Sequence, residues 1–361
     1  MKAFNALAVA IVFTAGLSDM AFGGDVLPSN VRDKLSGELI YYDASGGALS
    51  RARDETTNKD FTAETKVSVK GDFNSDMTKF FAAEDSGAPI PWSMIEFSTL
   101  GEFIRARDAG YLEKLDPAVV PVSNLKEGSY SEYGVDALRY GIVLTYNTEK
   151  FSGASAPKSL ADIFDTKRFP GKRCMFKYPQ FGAVLESALL ADGVPRDKLY
   201  PLDLDRAFAK LDKIKSDIVW WGNGDEAIRL LSSGECGIGI AWSGRVFSAV
   251  KNDKAPLAIE WQDSLYSMSA YAVPKGAPNA AAGQALIGHF ISDTEGQKAL
   301  VKKITYTTDI KALDLADYGD ELAPWLVAGK NAEKAIKEDA GYYSKNLPAV
   351  VDRFNRWIAT N

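Results

Sequence analysis

Hydrophobic and polar positions along the chain follow two periods in turn, and their alternation predicts strands and helices in a regular order. Strands are predicted at residues 37–43 (GELIYYD), 66–73 (KVSVKGDF) and 89–97 (PIPWSMIEF), and the second of them shows period-two alternation. Apolar positions three and four residues apart predict helices at residues 49–65, 74–87 and 98–115. The first third of the chain is therefore expected to form one compact βαβαβ unit.

A second unit with the same texture begins near residue 141. Strands are predicted at residues 141–147 (GIVLTYN), 174–177 (CMFK), 236–242 (CGIGIAW) and 264–274 (SLYSMSAYAVP), with helical patterns between them. Alternating strand-like and helix-like segments are typical of an α/β protein with mainly parallel sheets. We therefore expect two α/β domains in series.

Two strand-like runs enclose the second unit, and this predicts how the domains are joined. The runs GIVLTYN and SMSAYAVP indicate that the chain leaves the first domain and later returns to it, which makes a two-crossing hinge. Loops at the carboxyl ends of the strands would then face each other across a cleft. The expected lobes are residues 37–141 plus 267–310 (lobe 1) and 142–266 plus 311–361 (lobe 2).

The N-terminal residues have the features of a secretory signal peptide. Lys2 precedes an apolar run over residues 6–17, and small residues cluster around Ala21 and Gly23. The apolar run is too short to span a bilayer. We therefore predict a signal peptide at residues 1–23 and an exported, periplasmic protein.

Charge and cysteine content limit the partners and cofactors. A formal net charge of −6 lacks the basic footprint of a protein that binds nucleic acid or an anionic membrane. Cys174 and Cys236 each begin an apolar run, so in an oxidising compartment they either pair across neighbouring strands or remain two separate buried thiols. Together with the single histidine, His289, they do not make a tetrahedral metal site. No metal or cofactor is expected, and His289 in its helical run is expected to pack or lie at the surface.

Catalytic motifs are not legible in the sequence. The chain has no G-x-S-x-G, no P-loop and no G-x-G-x-x-G after a strand. A hydrolase with paired carboxylates stays open, because carboxylates can converge from distant positions. A non-enzymatic binding function is the favoured interpretation.

Polar and aromatic residues at strand ends are the candidate binding groups. The glycines of Ser45-Gly46-Gly47 allow a tight turn and expose backbone amides that could bind a carboxylate. Further candidates come after other strand-like runs. They are Ser98, Thr99, Tyr178, Gln180, Phe181, Trp242, Arg245, Tyr306 and Thr308. Each has a structural alternative: a plain turn at the glycines, a helix cap at Ser98 or Thr99, and a surface ion pair at Arg245. Of the adjacent Trp220 and Trp221, at least one is expected in the core.

Several segments, in order along the chain, resemble the solute-binding proteins of bacterial ABC importers, in the group around the spermidine/putrescine-binding proteins. They are YYDASGG (41–47), AGYLEKLD (109–116), GIVLTYNTEKF (141–151), SLADIFDTKRFPGKR (159–173), ALLADGV (188–194), LLSSGECGIGIAWSGRV (230–246) and AYAVPKGAPN (270–279). The resemblance implies a type II two-lobe periplasmic binding fold whose cleft closes on one small solute. It also implies delivery to an inner-membrane ABC permease by a protein that acts as a monomer.

Departures from the polyamine binders change the expected solute. Ser267 and Ser269 stand where those proteins carry a tryptophan and a key aspartate, and the acidic pair expected near residues 178–181 is missing. Trp242 is retained, and Arg245 follows it. A guanidinium in place of carboxylates disfavours a dication. The W-S/N-G-R pattern resembles the opine-binding subgroup.

We therefore expect a carboxylate-bearing, zwitterionic or polyhydroxylated solute, opine- or amino-acid-like. Polyamines remain the alternative, with Asp43, Glu96, Asp225 or Glu226 as ammonium partners; an exported enzyme or a sensor module is a further alternative. The expected ligand-binding residues are Asp43, Ser45, Gly46, Gly47, Ser98, Thr99, Tyr178, Gln180, Phe181, Trp221, Trp242, Arg245, Ser267, Ser269, Tyr306 and Thr308.

Overall fold

The computed structural model describes residues 25–74 and 77–360, which form a two-lobe α/β protein. The predicted signal peptide lies outside the described residues. The strands are β1 (Glu38–Asp43), β2 (Ser68–Phe73), β3 (Met94–Phe97), β4 (Tyr130–Ser131), β5 (Gly134–Asn147), β6 (Lys172–Phe176), β7 (Ile218–Trp221), β8 (Cys236–Trp242), β9 (Leu257–Ala272) and β10 (Ile336–Lys337).

The helices pack on both faces of these strands. They are α1 (Ser29–Arg32), α2 (Gly47–Asp54), α3 (Thr57–Thr65), α4 (Thr78–Ser86), α5 (Leu100–Asp108), α6 (Val184–Ala191), α7 (Leu204–Leu211), α8 (Gly224–Ser232), α9 (Ser243–Asp253), α10 (Ala280–Ser292), α11 (Thr294–Ile304), α12 (Gly319–Leu322), α13 (Gly329–Lys334) and α14 (Ala340–Ala359). The predicted helix at 49–65 is two helices, because Thr56 has the non-helical φ and ψ of −132° and −106°. In the described part of the chain no helix has the length and apolar character needed to cross a membrane.

The strands form a continuous sheet in the order β2-β1-β3-β9-β5-β8-β6-β7, with β4 added to β5 and β10 to β9. One end is parallel (β2-β1-β3), and so is the other (β8-β6-β7). The centre differs from the mainly parallel sheet that the sequence predicts, because β9 and β5 run antiparallel to their neighbours and to each other. Each parallel end belongs to one lobe.

The two central strands connect the lobes. β5 has 14 residues and β9 has 16, about three times the usual length of a strand. Their ladder is interrupted between Asp136 and Arg139 and between Ile142 and Leu144, where the strands bend. Gly141 pairs with Tyr266, so the two crossing points expected at 141/142 and 266/267 lie directly opposite each other.

Two parallel strands of the second lobe, β6 and β8, are almost fully buried. Along β6 four of the five residues are buried, and along β8 six of the seven. In this setting Cys174 of β6 and Cys236 of β8 form a disulfide with a Cα–Cα distance of 5.7 Å. Of the two alternatives that the sequence leaves open, the structure therefore contains the bonded one.

The C-terminal helix α14 packs against both lobes. Its Tyr343 reaches α5, where a Cβ added at Gly101 would lie 3.1 Å from the tyrosine Cβ. Near its other end, Phe354 and Trp357 stack edge-on against Trp220. Trp220 therefore packs on α14, on the side of the sheet away from the cleft.

His289 of α10 is a buried structural residue. Its Nδ1 lies 2.9 Å from Glu64 Oε2 and its Nε2 lies 3.4 Å from Asp293 Oδ2. Burial lowers the pKa of His289, but its bonds to Asp293 and Glu64 outweigh that effect and raise the pKa overall. Across residues 25–74 and 77–360, no group of three or more His, Cys, Asp or Glu could hold a metal ion.

Candidate functional site

A cavity of ≈ 40 Å³ lies between the strand ends of the two lobes. It is lined by Ala44, Ser45, Leu49, Glu96, Ser98, Leu138, Tyr140, Phe181, Trp242, Arg245, Ser269 and Tyr306. Three of these residues, Phe181, Trp242 and Arg245, come from the segment between the two crossing strands, and the others come from the remainder of the chain. The site is thus built from both walls of the cleft.

The glycine turn after β1 has a role other than the one the sequence suggests. The amides of Ser45 and Gly46 both donate to Asp43 Oδ1 at 3.0 Å, and the Ser50 hydroxyl donates to Asp43 Oδ2. The turn therefore satisfies its own donors, as Asp side chains commonly do in turns. The prediction that the Ser45 and Gly46 amides face a ligand is wrong, and Asp43 is a turn-forming residue behind the cavity.

Gly47 allows the opposite wall to approach. Its φ is +56°, and a Cβ at this position would lie 2.8 Å from Arg245 Nη1 and 3.0 Å from Asp225 Oδ1. Gly46, with φ of +59°, meets Phe73 of its own lobe instead. A side chain at position 47 would therefore hold the two walls apart.

Arg245 is positioned by the turn from β8 into α9. A Cβ at Gly244 would lie 2.0 Å from the Ile304 carbonyl oxygen, so only glycine lets α9 pack this closely on the end of α11. The Arg245 side chain is 4% exposed, and its Nη2 donates to the carbonyls of Ser45 (2.8 Å) and Gly46 (2.6 Å). Within the described residues, its Nε and Nη1 have no hydrogen-bond partner. Arg245 thus presents a buried cation with two unused donors.

Glu96 supplies the negative charge of the cavity wall. Its carboxylate receives a bidentate ion pair from Arg53, with Nη1 to Oε2 at 2.7 Å and Nη2 to Oε1, and the Ser45 hydroxyl donates to Oε1 at 3.3 Å. Burial raises the pKa of Glu96 although the charge of Arg53 acts in the opposite direction. The short bidentate contact fits an ionised pair.

Aromatic rings form most of the remaining surface. Phe181 and Trp242 lie 5.9 Å apart between ring centroids and 30° from coplanar, and Trp242 Nε1 donates to the Phe181 carbonyl at 3.0 Å. Tyr140 and Tyr306 pack together on the other wall, with centroids 5.8 Å apart. Burial raises the pKa of Tyr306 to about 12, so its hydroxyl stays protonated. The cavity therefore combines one cation, one anion and four aromatic rings.

The structure brings only part of the expected set to this cavity. Ser45, Ser98, Phe181, Trp242, Arg245, Ser269 and Tyr306 line it. Asp43, Gly46, Gly47, Thr99, Tyr178, Gln180, Trp221, Ser267 and Thr308 do not.

The displaced residues at α5 and near the crossing strands have structural partners. Thr99 caps α5 through Glu102, and Gln180 Nε2 donates to Thr99 Oγ1 at 2.8 Å. Ser267 bonds to Glu338, behind the cavity. Thr308 is largely buried and does not line the cavity.

Trp221 and Tyr178 form a second aromatic layer. Trp221 is fully buried, with its ring centroid 5.2 Å from that of Trp242 and 4.5 Å from that of Phe176. Tyr178 packs on Phe181 at 5.6 Å. The expectation that Trp221 and Tyr178 contact solute is therefore corrected, because they support the rings that line the cavity.

Sequence reasoning missed four lining residues. Ala44 and Leu49 flank the glycine turn, and Leu138 and Tyr140 lie in the middle of β5 rather than at a strand end. Burial on both faces of β5 hides the alternation that would have marked its cleft side. The usable signal is the length of β5, since a strand that crosses between lobes must pass the floor of the cleft.

The chain is similar to solute-binding proteins over most of its length. Residues 56–323 match the family of bacterial extracellular solute-binding proteins. A gamma-aminobutyric acid (GABA)-binding protein of Pseudomonas aeruginosa is 35% identical over 324 residues, 87% of this chain and 89% of that protein.

Solved structures extend the likeness to the fold. The Atu4243–GABA receptor is 32% identical with a TM-score of 0.77, covering 90% of this chain and 98% of that one. The periplasmic binding protein AgtB of A. tumefaciens R10, in complex with agropinic acid, is 27% identical with a TM-score of 0.80, covering 90% and 99%.

Proposed function

The chain belongs to the bacterial extracellular solute-binding proteins, and on this basis we propose that its cavity captures a small amino acid with separate carboxylate and ammonium ends. It is the solute-binding component of an ABC transporter and not an enzyme. The solute class is amino-acid- or opine-like. Within that class, the residues of the cavity favour a short ω-amino acid.

The observation that carries the proposal is the buried guanidinium of Arg245. A buried charge costs several kcal/mol unless an opposite charge satisfies it, and among the described residues Arg245 has only two backbone carbonyls as hydrogen-bond partners. Its nearest carboxylate, Asp225, is 3.8 Å away and its side chain is 58% exposed. A solute carboxylate at Nη1 or at Nε would provide a missing charge-assisted bond.

The opposite end of the solute is assigned to Glu96 and the aromatic rings. A carboxylate has about four acceptor sites, and Arg53 with Ser45 uses three of those on Glu96. An ammonium group can take the fourth while its methylene chain packs between Trp242, Phe181 and Tyr306.

Binding and closure are then one event. Arg245 reaches the Ser45–Gly46 carbonyls only when the walls meet, so closure without solute buries an unpaired cation, and closure with solute does not. We place the lobes at residues 37–141 plus 267–310 and 142–266 plus 311–361, with the closed form delivered as a monomer to an inner-membrane permease. Residues 1–23 would direct export to the periplasm.

Isothermal titration calorimetry of the purified protein against a matched panel tests the proposal. GABA carries both charges, 4-hydroxybutyrate lacks the ammonium group, n-butylamine lacks the carboxylate, and putrescine has two ammonium groups. We expect GABA to bind tightest, 4-hydroxybutyrate to bind more weakly, and both amines to bind weakest, because they leave Arg245 unpaired. Putrescine binding at or above the strength of GABA would contradict the assignment.

A further inference from the structure

Glu338 is a buried carboxyl behind the cavity that no solute contact requires. It lies between β10 and α14 and is 5% exposed. It accepts hydrogen bonds from Gln180 Nε2 at 3.2 Å, from the Phe181 amide at 3.1 Å and from the Ser267 hydroxyl at 3.3 Å. These donors come from two separate segments, the loop after β6 and the crossing strand β9.

One of these bonds leads directly to the aromatic wall. Phe181 has φ of +41°, a conformation that costs an L-residue free energy and needs outside support. The Phe181 amide donates to Glu338, and the Phe181 carbonyl accepts from Trp242. The Phe181 ring lines the cavity. The position of this ring therefore depends on a carboxyl that the solute does not touch.

The bond from the Ser267 hydroxyl connects Glu338 to the opposite wall of the cavity. Ser267 pairs with Tyr140 across the β5–β9 ladder. Tyr140 lines the cavity, and its hydroxyl donates to the Ser98 carbonyl at 2.8 Å. Glu338 thus connects two walls that belong to different parts of the cleft.

We propose that Glu338 is a positioning residue for solute binding, which fixes the spacing between the Phe181 ring and the Tyr140 ring in the closed protein. This inference rests on the proposed function, since it assigns a second role around the same cavity. It predicts that solute affinity depends on a residue outside the cavity. It also predicts that the protonation state of that residue matters.

The surroundings of Glu338 hold other acidic and phenolic groups. Those that interact with it electrostatically are Glu186 of α6, Glu102 of α5, Tyr140 of β5, Tyr343 of α14, and Tyr200 in the loop before α7. Burial, followed by the charge of Glu186, raises the pKa of Glu338 to about 8. Gln180 Oε1, which lacks a partner in the described structure, can accept the proton's hydrogen bond if its amide is reversed.

The sign of the pH dependence follows from this raised pKa. Opening the cleft admits water and returns the carboxyl toward its ordinary value, so closure takes up a proton. Solute affinity is then greatest below the open-state pKa and is lost as pH rises through about 8. Between the open-state pKa and about 8, one coupled proton weakens binding by up to about tenfold per pH unit, and above about 8 the affinity levels off.

The test compares Glu338→Gln and Glu338→Ala with the unmodified protein, by calorimetry with GABA from pH 6 to 9.5. The glutamine copies the protonated carboxyl without having to take up a proton, so we expect affinity at pH 7 at or above that of the parent and no weakening between pH 6 and pH 8. The alanine removes the support, and we expect about 10- to 100-fold weaker binding at pH 7. If Glu338→Ala fails to fold, the pH profile of Glu338→Gln decides.

Glu186→Gln is the matched control, a buried carboxyl that bonds Tyr200 and Tyr343 but neither cavity wall. It should keep the pH transition and move it to lower pH, because the charge that raises the pKa of Glu338 is gone. A parent affinity that is flat from pH 6 to 9.5, or a Glu338→Gln variant that keeps the full transition, would overturn the inference.

A solute-free measurement separates this inference from the proposed function. Hydrogen exchange of peptides covering residues 177–183 reports the Phe181 amide whether or not GABA is the solute. We expect about tenfold faster exchange in Glu338→Ala and near-parent exchange in Glu338→Gln at pH 7. Equal protection in all three proteins would overturn the role of Glu338, whereas a parent that binds none of the panel would overturn only the solute assignment.

Discussion

Arg53 and Arg245 are both buried guanidiniums beside the same cavity, yet they differ in what neutralises them. Arg53, 2% exposed, gives both terminal nitrogens to the Glu96 carboxylate. Arg245, 4% exposed, gives one nitrogen to two backbone carbonyls and keeps Nε and Nη1 without a partner among the described residues. The two side chains are chemically identical and almost equally buried.

The difference separates a structural charge from a binding charge. Arg53 has its counter-ion within the fold, so its burial is compensated at all times. Arg245 has two backbone carbonyls, and under the proposed function it gains a full counter-ion only when a carboxylate solute binds. A buried cation without an internal carboxylate is therefore the better marker of the solute site than burial or charge alone.

Breaking the Arg53–Glu96 pair should have the largest effect on the fold. We expect Arg53→Met to lower the free energy of unfolding by about 3–5 kcal/mol, since it leaves Glu96 buried without its partner. The double variant Arg53→Met with Glu96→Leu should recover most of that loss, because it buries no charge at all. Urea unfolding without solute measures both, and a single-variant loss below about 1 kcal/mol would contradict the structural role of the pair.

Removing the Arg245 charge should give the opposite pattern. Arg245→Met should unfold at the same urea concentration as the parent or higher, because an unpaired buried charge is gone. Its affinity for GABA should fall by about 10- to 100-fold, the value of a hydrogen bond to a charged group. Calorimetry and urea unfolding on the same preparation check both halves.

Arg245→Lys is the control for this pattern, since it keeps the charge and loses the planar fork. It should bind GABA more tightly than Arg245→Met and more weakly than the parent. If Arg245→Met destabilises the fold and leaves binding intact, the two arginines have been assigned the wrong way round.

Much of the fold could be predicted from the sequence because strand periodicity and strand order are local properties. The runs that end at Asp43, Phe97 and Trp242 are strands in the structure, and the two long runs that bracket the second unit cross between lobes. Arg245 was identifiable because it follows a strand end in a glycine-containing turn. These features depend on spacing of three to seven residues, which the sequence displays directly.

The rest depends on side-chain direction and on contacts far apart in sequence. Whether the Ser45 amide is free depends on the conformation of Asp43, which turns back onto it. Whether Trp220 or Trp221 faces the cavity depends on α14, more than 100 residues later, which occupies the Trp220 side. Glu338 gives no local signal, because its partners lie 71 or more residues away.

Gly46 and Gly47, in the turn after β1, allow a similar comparison, because only Gly47 lies against Arg245. Gly47→Ala would place a Cβ 2.8 Å from Arg245 Nη1, whereas Gly46→Ala would meet Phe73 of the same lobe. Both substitutions occur at positive φ, so both should cost about 1–2 kcal/mol of stability. Only Gly47→Ala should also weaken GABA binding, by about 1 kcal/mol, because its clash exists only in the closed cleft.

Calorimetry and urea unfolding of the two glycine variants separate closure from general strain. Equal loss of affinity in Gly46→Ala and Gly47→Ala would mean that the turn as a whole, and not the approach of Arg245, limits closure.

The smallest expected effect on GABA affinity comes from a substitution at Asp225. It is the nearest carboxylate to Arg245, 3.8 Å from Nη1, and its side chain is 58% exposed, so it compensates Arg245 only weakly. Asp225→Asn removes a competitor for the guanidinium, and we expect GABA affinity to rise by no more than about fivefold. Glu235→Gln is the control, since it removes a carboxylate of similar exposure that lies 3.7 Å from Arg229, and it should leave affinity unchanged. Calorimetry at low salt measures the affinity. A marked fall for Asp225→Asn would instead mean that Asp225 positions the Arg245 side chain for the solute.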